Sequence, residues 1–368
     1  MNYNFLTFQN FALLIALGQT FIAIVNFLTK PILKKTKSIN DLLVSILIPA
    51  RNEEKNILTL LNSIKNQDYQ NIEVIVLDDN STDNTFNLVN NFCETYNKFH
   101  IIQGQELPKN WLGKNWACYQ LSLKAKGDFI IFLDSDTVIF PDLINSTLNY
   151  AKEKKLSLLS IFPDQITITN SEKIIVPFIN YVLLTLLPLQ LVRFPYFSSI
   201  SAANGQFMMF EKENYKKNNW HELVKNNIAE DVTIVRKMKT NKDKVAVLLS
   251  NGLIKCRMYN NLDECIKGFE KNILLIFGNS IIFLVFYLIF CLFNIFLFSS
   301  KNYFIISLIS ILISKMLVSI LSNQNVLMNI LFYPLQIFFV TIIALKAIYK
   351  KITKKEVSWK ERNIILEK

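Results

Sequence analysis

Hydrophobic and polar residues are distributed unevenly along this chain, and the distribution divides it into three parts. Apolar residues form long blocks near both ends, whereas charged residues concentrate between about residue 30 and residue 272. An apolar block of about 20 residues is long enough to cross a bilayer as a helix. The pattern therefore predicts a folded domain flanked by membrane helices.

Within the central part, short apolar runs alternate with segments that have the apolar spacing of helices. The predicted strands and helices, in chain order, are Val44–Pro49, Glu54–Lys65, Glu73–Asp78, Asn84–Tyr96, Gly113–Lys126, Phe129–Asp134 and a helix after Pro141. Strands that alternate with helices of this length predict an α/β fold with a mostly parallel, Rossmann-like sheet. In such sheets ligands bind at the carboxyl ends of the strands, so the polar residues there are the candidates for function.

The first apolar block, Phe11–Leu28, predicts an uncleaved membrane anchor. No Lys or Arg precedes it, and a basic cluster begins directly after it with Lys30, Lys34 and Lys35. A secretory signal has the opposite order of charge and apolar core. Because basic residues tend to stay on the cytoplasmic side, we expect the N-terminus outside and the following domain in the cytoplasm.

The C-terminal part contains three apolar segments, near Ile273–Phe298, Tyr303–Leu321 and Val326–Tyr349. The middle segment is the weakest candidate span because Lys315 lies inside it. One anchor plus three spans would place the basic tail outside, against the positive-inside tendency, so the number of spans stays open.

These blocks predict the domain organisation of a multi-pass protein of the cell membrane. The predicted domains are an anchor with a basic linker (1–38), an α/β domain (39–272) with an interfacial helix near 172–194, C-terminal membrane helices (273–349) and a basic tail (350–368). A membrane-spanning helix is the alternative for the segment near 172–194, which prolines interrupt.

The net charge of +11 favours a lipid surface over nucleic acid as the partner. Lysines cluster beside the apolar blocks, as at Lys350, Lys351, Lys354 and Lys355, which suits anionic headgroups. A nucleic-acid surface would interleave basic residues with stacking aromatic residues, and the sequence contains no such run. We therefore predict a membrane partner and no nucleic acid.

Cysteine and histidine usage restricts the chemistry. The five cysteines are odd in number and form no C-x-x-C pair, and the chain has only two histidines. A disulfide framework, a zinc site and a Ser-His-Asp triad are therefore disfavoured. The chemistry must depend on carboxylates, lysines and a metal with oxygen ligands.

Four polar clusters follow predicted strands or begin predicted helices. They are Pro49–Glu53, Asp78–Asp83, Asp134–Asp136 and Glu230–Asp231. Each cluster alone has a structural explanation as a turn, a helix cap or a solvated helix start. Their order on one α/β frame is what favours a shared site.

The clusters match the chemical needs of a nucleotide-diphosphate sugar. Its base and ribose need hydrogen-bond acceptors, for which Asp79 and Glu53 have the right character. Asp134 and Asp136 can hold Mg²⁺ or Mn²⁺ through oxygen ligands, and such a cation stabilises the departing diphosphate. Lys114, at the start of its predicted helix, adds a further positive charge.

Four stretches form an ordered motif set: SILIPARNEE, VIVLDDNSTDNT, GDFIIFLDSDTV and AEDVTIVRKMK. Together they resemble the family 2 glycosyltransferases with a GT-A fold, over residues 43 to about 272. The resemblance implies that Pro49, Glu53 and Asp79 line the nucleoside pocket. It also implies that Asp136, with Asp134, serves the metal and the donor.

The same resemblance implies that Asp231 is the catalytic base of an inverting displacement at the anomeric carbon. The neighbouring Glu230 would raise its pKa, because adjacent carboxylates resist joint ionisation. A lipid alcohol as acceptor needs such a base. A carboxylic acid has a pKa of roughly 4 and is already ionised, so Asp231 would then orient the acceptor instead.

Finer motifs resemble the lipid-modifying branch of this family, which includes carotenoid-acid, hopanoid and ceramide-type enzymes. These motifs are WLGKNWACYQL, NGQFMMF, CRMY, GFEKN and SWKER. The carotenoid-acid (diaponeurosporenoate) members are the most similar. The resemblance implies transfer of glucose from UDP-glucose to a membrane lipid.

Departures from the family narrow the prediction further. Processive members have a Q-x-x-R-W motif about where this chain has Gly268–Asn272, so a single transfer is favoured. Arg51 replaces a frequent aromatic residue and Asn80 a frequent glycine, and neither change removes a charged ligand. The full set of candidate substrate-binding residues is Pro49, Ala50, Arg51, Glu53, Asp78, Asp79, Lys114, Asp134, Asn204, Gly205, Gln206, Glu230 and Lys271.

Three other functions differ from this one in the features that they require. A processive polysaccharide synthase would share the fold and the donor. A nucleotidyltransferase would have a Gly-rich, basic loop after its first strand, and PARNEE contains no glycine. In a non-catalytic membrane scaffold, the loss of Asp134 or Asp136 would have no effect on function.

Overall fold

The computed structural model of the chain describes residues 3–37, 41–278, 280–295, 301–353, 357–359 and 362–364. The chain is divided into two compact units. The sheet unit comprises Pro31–Asp164 and Leu189–Cys256, and the helical unit comprises Met1–Lys30, Gln165–Pro188 and Arg257–Lys368. Of the predicted basic tail, residues 354–356, 360–361 and 365–368 lie outside the described residues, and they include Lys360 and Glu361 of the SWKER motif.

The strands are β1 Val44–Ala50, β2 Ile72–Asp78, β3 Phe99–Gln103, β4 Phe129–Leu133, β5 Thr137–Ile139, β6 Leu158–Phe162, β7 Asp164–Gln165, β8 Phe207–Glu211, β9 Val245–Leu249, β10 Ile254–Cys256, β11 Val357–Trp359 and β12 Arg362–Ile364. The helices are α1 Tyr3–Thr29, α2 Ile57–Lys65, α3 Thr85–Thr95, α4 Gly113–Lys124, α5 Leu143–Lys154, α6 Asn170–Ile175, α7 Pro177–Leu186, α8 Lys212–Asn218, α9 Trp220–Leu223, α10 Glu230–Thr240, α11 Leu262–Ile276, α12 Ile281–Ile295, α13 Lys301–Leu321, α14 Val326–Leu331 and α15 Tyr333–Thr353.

The sheet unit is built on a sheet with the strand order β3-β2-β1-β4-β8-β6-β9. The strands β3, β2, β1 and β4 are parallel to one another. Strand β8 runs antiparallel between β4 and β6, and β6 and β9 are again parallel. The predicted α/β fold with a mostly parallel sheet is therefore confirmed.

Burial explains why these segments form these elements. Strands β4 and β9 are buried at every position, as expected for strands covered on both faces. Helix α2 buries an apolar stripe that includes Ile57, Leu60 and Ile64. Gly127, just before β4, has no room for a side chain, because a Cβ there would lie 2.5 Å from the backbone N of Ser45.

The helical unit contains the candidate membrane spans. By length and composition, two helices of the described residues can cross a membrane, over Asn10–Thr29 and Phe304–Leu321. A third would result if Leu262–Ile276 and Ile281–Ile289, which meet at 105°, formed one span. These helices support membrane association. The multi-pass topology and the cytoplasmic orientation stay predictions.

Lys315 lies inside the second candidate span and is only 2% exposed. Its Nζ donates to Gln336 Oε1 at 2.5 Å and lies 3.9 Å and 4.6 Å from the ring centres of Tyr181 and Tyr333. Gln336 donates in turn to Asn329 Oδ1. The ammonium is thus held by an amide oxygen and two aromatic faces, which explains how this segment, the weakest candidate in sequence, tolerates a lysine.

The segment near 172–194, expected to be one interfacial helix, is divided. Helix α6 ends at Ile175, α7 begins at Pro177, and a 3₁₀ turn covers Leu189–Arg193. Proline favours the first turn of a helix because it has no backbone N–H to donate, which accounts for the new start at Pro177. The location of the segment at a lipid interface stays a prediction.

Candidate active site

The acidic clusters meet at one edge of the main sheet. Ala50 ends β1 and Asp78 ends β2, and the two residues are register partners. The backbone N of Asp79 donates to the Ala50 oxygen at 2.8 Å. Because β1 lies between β2 and β4, Asp134, the first residue after β4, lies at the same edge. Two strand spacings amount to about 10 Å, the scale of a nucleotide diphosphate site.

The PARNE turn after β1 is bonded to the turn after β2. Arg51 Nη1 donates to the backbone oxygen of Asp79 at 2.6 Å. The backbone N of Glu53 donates to Thr85 Oγ1 at 2.8 Å, and Glu53 Oε2 accepts from Asn56. These bonds fix both turns against each other. Arg51 thus has a structural role in this edge, besides its predicted role in binding.

Asp78 and Asp79 are both buried. One oxygen of Asp78, Oδ2, accepts from the backbone N of Ser81 and from Gln103 Nε2, each at 3.2 Å. Within the described residues, the other oxygen of Asp78, Oδ1, is buried and has no hydrogen-bond partner. A buried acceptor of this kind suits an N–H or hydroxyl group of a ligand.

Asn80 adopts a left-handed backbone conformation with φ +53°. Glycine tolerates this region because it has no Cβ, and asparagine tolerates it because its short polar side chain can form a local hydrogen bond. Other residues are strained there, because their Cβ lies too close to the following carbonyl oxygen. We expect Asn80→Ala to lower the free energy of unfolding by roughly 1 kcal/mol and Asn80→Gly to change it little. Thermal unfolding of the two purified variants checks this. Equal loss in both would instead assign the effect to the side-chain bond between Asn80 and Gln103.

A second group of site residues surrounds Lys114 at the start of α4. Its Nζ lies 2.9 Å from both carboxylate oxygens of Asp134 and 3.3 Å from Glu230 Oε1. Burial would lower the pKa of Lys114, but the charges of Asp134 and Glu230 outweigh it and hold the pKa well above its usual value. The ammonium is therefore a permanent positive charge at the end of β4.

Asp231, near the start of α10, is held by two backbone amides. Gly205 N donates to Oδ2 at 2.9 Å and Val232 N donates to Oδ1 at 2.7 Å. Burial, followed by the neighbouring Glu230, raises the pKa of Asp231 to about 7. A carboxylate of this pKa can accept a proton near neutral pH, as a general base must.

Gly205 lies where these side chains converge. A Cβ there would lie 3.1 Å from Lys114 Nζ and 3.2 Å from Glu230 Oε1. Both atoms end flexible side chains, so we expect Gly205→Ala to fold normally but to lower kcat roughly tenfold by displacing them. Steady-state kinetics and the Tm of the variant check this. An unchanged kcat would show that the position of Lys114 is not critical.

The turn that contains Gly205 is fixed by its neighbours. Ser160 Oγ accepts from the backbone N of Asn204 and donates to its oxygen, and Asn204 Oδ1 accepts from Gln206 N at 2.8 Å. The Gln206 oxygen accepts from Asp134 N at 3.2 Å. Asn204 therefore shapes the turn, which joins β8 to the end of β4.

Cys256, which lies in the CRMY motif, is a neighbour of the site that the sequence does not identify. Strand β10 pairs with β5 and sets Cys256 opposite Thr137, next in sequence to Asp136. Cys256 Sγ accepts from Gln206 Nε2 at 2.7 Å, and the thiol is hydrogen-bonded to Asp136. Burial, followed by Asp136 and Asp134, raises the pKa of the thiol well above its usual value, so it stays neutral. Only the pairing of distant strands reveals this neighbour.

The residues at the end of β4 fit a divalent cation. Asp134 and Asp136, which are separated by one residue, offer carboxylate oxygens. The backbone of Gln206 is hydrogen-bonded to Asp134, and Gln206 Oε1 is buried without a hydrogen-bond partner in the described part of the chain. No group of three or more His, Cys, Asp or Glu side chains there could hold a metal alone. A cation would therefore need diphosphate or water oxygens as further ligands.

The sheet unit thus contains all but one of the predicted site residues. Hydrogen bonds and ion pairs join Lys114, Asp134, Gly205, Glu230 and Asp231 into one cluster. Lys271 is the exception, because it lies on α11 in the helical unit. Its role in binding stays a prediction, as do the individual roles of the others.

Comparisons with known proteins match this architecture. Residues 45–217 match the family model described as "Glycosyl transferase family 2". The solved structure of mannosyltransferase PcManGT from Pyrobaculum calidifontis, in complex with GDP-Man and Mn2+, has a TM-score of 0.57 at 15% identity, over 95% of this chain and 99% of that chain. At that identity the likeness concerns the fold alone.

Two relatives in sequence bear the same name. The chain is 26% identical over 240 residues to 4,4'-diaponeurosporenoate glycosyltransferase of Staphylococcus haemolyticus, which covers 62% of this chain and 60% of the relative. It is 36% identical over 135 residues to the protein of that name from Staphylococcus aureus, over 36% of this chain and 35% of the relative. The matches thus span less than two thirds of each relative.

Proposed function

Residues 45–217 form a glycosyl transferase family 2 domain, and from this premise we propose that the chain transfers a single sugar from a nucleotide-diphosphate sugar to a membrane lipid. The family and the names of both relatives support a transferase enzyme. The proposed donor is UDP-glucose, and the proposed transfer inverts the anomeric configuration. A processive polysaccharide synthase and a non-catalytic scaffold are the alternatives.

In this proposal the nucleoside binds at the ends of β1 and β2. Glu53 and Asp79 are buried carboxylates in turns that hydrogen bonds hold together. Asp78 Oδ1 offers an additional buried acceptor for an N–H or hydroxyl group. Such acceptors hold a base and a ribose and leave the diphosphate directed toward β4.

The diphosphate binds at the end of β4. Asp134 and Asp136 would hold Mg²⁺ or Mn²⁺ there, and the bound cation supplies charge stabilisation for the leaving diphosphate. Lys114 is already within 2.9 Å of Asp134. Its ammonium is available to pair with a phosphate oxygen when Asp134 binds the cation, which would neutralise charge without water.

Asp231 would act on the acceptor. Its carboxylate is half-buried, is fixed by the backbone amides of Gly205 and Val232, and has a pKa of about 7. Toward a lipid alcohol it would remove the hydroxyl proton as the bond to the sugar forms. Toward a carotenoid-like carboxylic acid, whose pKa is roughly 4, it would orient an acceptor that is already ionised.

A lipid acceptor is supported by two observations. The relatives are named for the glycosylation of a carotenoid acid, and the chain contains helices that are apolar enough to cross a membrane. A lipid acceptor stays in the bilayer, so the enzyme must work at its surface. The missing Q-x-x-R-W motif supports a single transfer rather than polymer synthesis.

This proposal depends most on one observation: ion pairs and hydrogen bonds bring together four charged residues at one sheet edge, namely Lys114, Asp134, Glu230 and Asp231.

The test incubates membranes that contain the chain with labelled UDP-glucose and a lipid extract that includes a carotenoid acid. We expect label in one lipid class, and its loss with EDTA or in Asp134→Ala. Asp243→Asn, a half-buried carboxylate bonded to Asn214, is the matched control and should transfer normally.

Other outcomes separate the alternatives. Labelled polysaccharide instead of labelled lipid would identify a processive synthase. Labelled lipid that survives both EDTA and Asp134→Ala would contradict the metal site. No turnover of UDP-glucose, GDP-mannose or UDP-N-acetylglucosamine with any lipid fraction would favour a scaffold.

A further inference from the structure

We propose that residues 191–197 form an interfacial loop that inserts into the surface of a lipid bilayer. Four of its side chains are exposed in the whole chain: Leu191 is 39% exposed, Phe194 47%, Tyr196 81% and Phe197 59%. Large apolar side chains exposed together within seven residues mark an interaction surface rather than a random feature. This inference extends beyond the proposed sugar transfer, because it assigns a membrane contact to the sheet unit.

The interfacial loop is held in place by buried residues at both of its ends. Leu189 and Val192, on the same turn as Leu191, are buried. Beyond the loop, Lys239 is buried and its Nζ donates to the backbone oxygen of Ile200 at 2.5 Å. The exposed rings thus project between two fixed points of the sheet unit.

Chain connectivity brings the loop within reach of a membrane helix. Asn26, three residues before the end of the candidate span Asn10–Thr29, donates from Nδ2 to the carbonyl oxygens of Leu184 and Leu187, each at 2.9 Å. The last turn of α7 is therefore level with the end of that span. Phe194 follows Leu187 by seven residues, which extend to about 25 Å at most.

The residue types also suit the interface between headgroups and acyl chains. Aromatic residues with one polar group, such as Tyr196, favour this depth, and Arg193 is available for lipid phosphates. The candidate span is followed in sequence by Lys30, Lys34 and Lys35. A bilayer surface satisfies apolar and basic groups together, which a soluble protein partner does less readily.

The position of the loop also suggests a role in delivering the acceptor, and this step rests on the proposed function. The segment continues from Phe197 to Gly205, whose N–H holds the carboxylate of Asp231. Eight residues, which extend to about 28 Å at most, therefore connect Phe197 to the glycine that holds the proposed base. Such a span would allow the head of a lipid bound at the loop to reach Asp231 while its apolar chain stays in the bilayer.

Depth-dependent quenching tests the insertion without any need for catalysis. Tyr196→Cys in the full chain is labelled with the environment-sensitive dye NBD and reconstituted into vesicles of phosphatidylcholine and phosphatidylglycerol, with or without nitroxide lipid. Of the native cysteines, four are buried, and burial raises the pKa of the fifth, Cys93, to about 11, so background labelling is low. Leu123→Cys, at an exposed apolar residue on α4 (63% exposed), is the matched control.

We expect nitroxide lipids to quench NBD at position 196 at least about fivefold more than at position 123. Equal, weak quenching at both positions would overturn the proposal. A blue shift at 196 without lipid quenching, growing with protein density, would assign the surface to a second copy of the chain and would also overturn it.

A second experiment tests delivery of the acceptor. We expect the double variant Phe194→Ser and Phe197→Ser to raise the apparent KM for a bilayer-bound acceptor about tenfold, while the KM for the donor and transfer to a detergent-dispersed acceptor stay unchanged. An unchanged KM would contradict delivery but not insertion. If quenching is found and no variant transfers sugar, the proposed function fails and the insertion stands.

Discussion

Replacing Asp136 by alanine is expected to lower sugar transfer by about 10²- to 10³-fold or more at saturating donor. Asp136 and Asp134 are the two carboxylates at the end of β4, and among the described residues no group of three or more His, Cys, Asp or Glu side chains could hold a cation in their place. Loss of one would leave the leaving diphosphate without its main charge stabilisation. The rate should be measured against the concentration of Mn²⁺ and of Mg²⁺, because partial rescue at high cation concentration distinguishes lost binding from misfolding.

Asp243→Asn is the control, since it removes a carboxylate of the same unit that lies away from the site. Cys256→Ala provides a milder perturbation, because it removes only the thiol bonded to Asp136. The cation requirement of Cys256→Ala should therefore rise by less than that of Asp136→Ala. Full activity of Asp136→Ala with unchanged cation dependence would contradict the proposed metal site.

Much of the sheet unit could be predicted because its elements are specified locally. Strand β4 reads FIIFL and is buried on both faces, so a continuous apolar run identified it. Helix α2 was predicted to begin at Glu54, but its first turn starts at Ile57. The preceding residues are bonded to the turn after β2 instead, as when Glu54 N donates to Asp83 Oδ2. A contact between turns has no periodic signal in sequence.

Non-local pairing also explains what sequence could not supply in the site. The clusters around Asp79, Asp134 and Asp231 were found because each follows a strand or starts a helix. The antiparallel insertion of β8 between β4 and β6 was not predicted, and it brings Gly205 to Asp231. Cys256 reaches Asp136 through β10 in the same way. Such neighbours depend on strand order, which a single sequence does not reveal.

The helical unit shows the opposite difficulty. Its apolar segments were evident, yet their division into helices was not. Lys315 weakened the prediction for a segment that is a candidate span in the structure too, because Gln336 and two tyrosines around the lysine come from other segments. Composition identifies a membrane helix well, but it does not identify the partners that make an internal charge tolerable.

The pKa of Asp231 leads to the second large effect, a pH dependence that reports on the acceptor. The folded chain raises this pKa from 3.8 to about 7, so the carboxylate form, which accepts a proton, is present only above about pH 7. The protonated form of Asp231 stabilises the folded state at low pH. That contribution is lost as the pH rises through about 7. Between about pH 4 and pH 7, activity should therefore rise with pH while this contribution to stability falls.

With a lipid alcohol as acceptor, we expect kcat/KM to fall about tenfold for each pH unit below 7 and Asp231→Asn to lose roughly 10²- to 10⁴-fold. Because both oxygens of Asp231 accept backbone N–H groups, asparagine would set its NH₂ group against one of them, so Asp231→Ala should accompany it. With a carotenoid acid, already ionised above a pKa of roughly 4, the pH slope below 7 should largely disappear and the loss in Asp231→Asn should shrink to about tenfold or less. Parallel pH profiles of the wild-type chain and both variants with the two acceptors measure this. A steep profile with both acceptors that persists in Asp231→Asn would place the titrating base elsewhere, since a group that is absent cannot titrate.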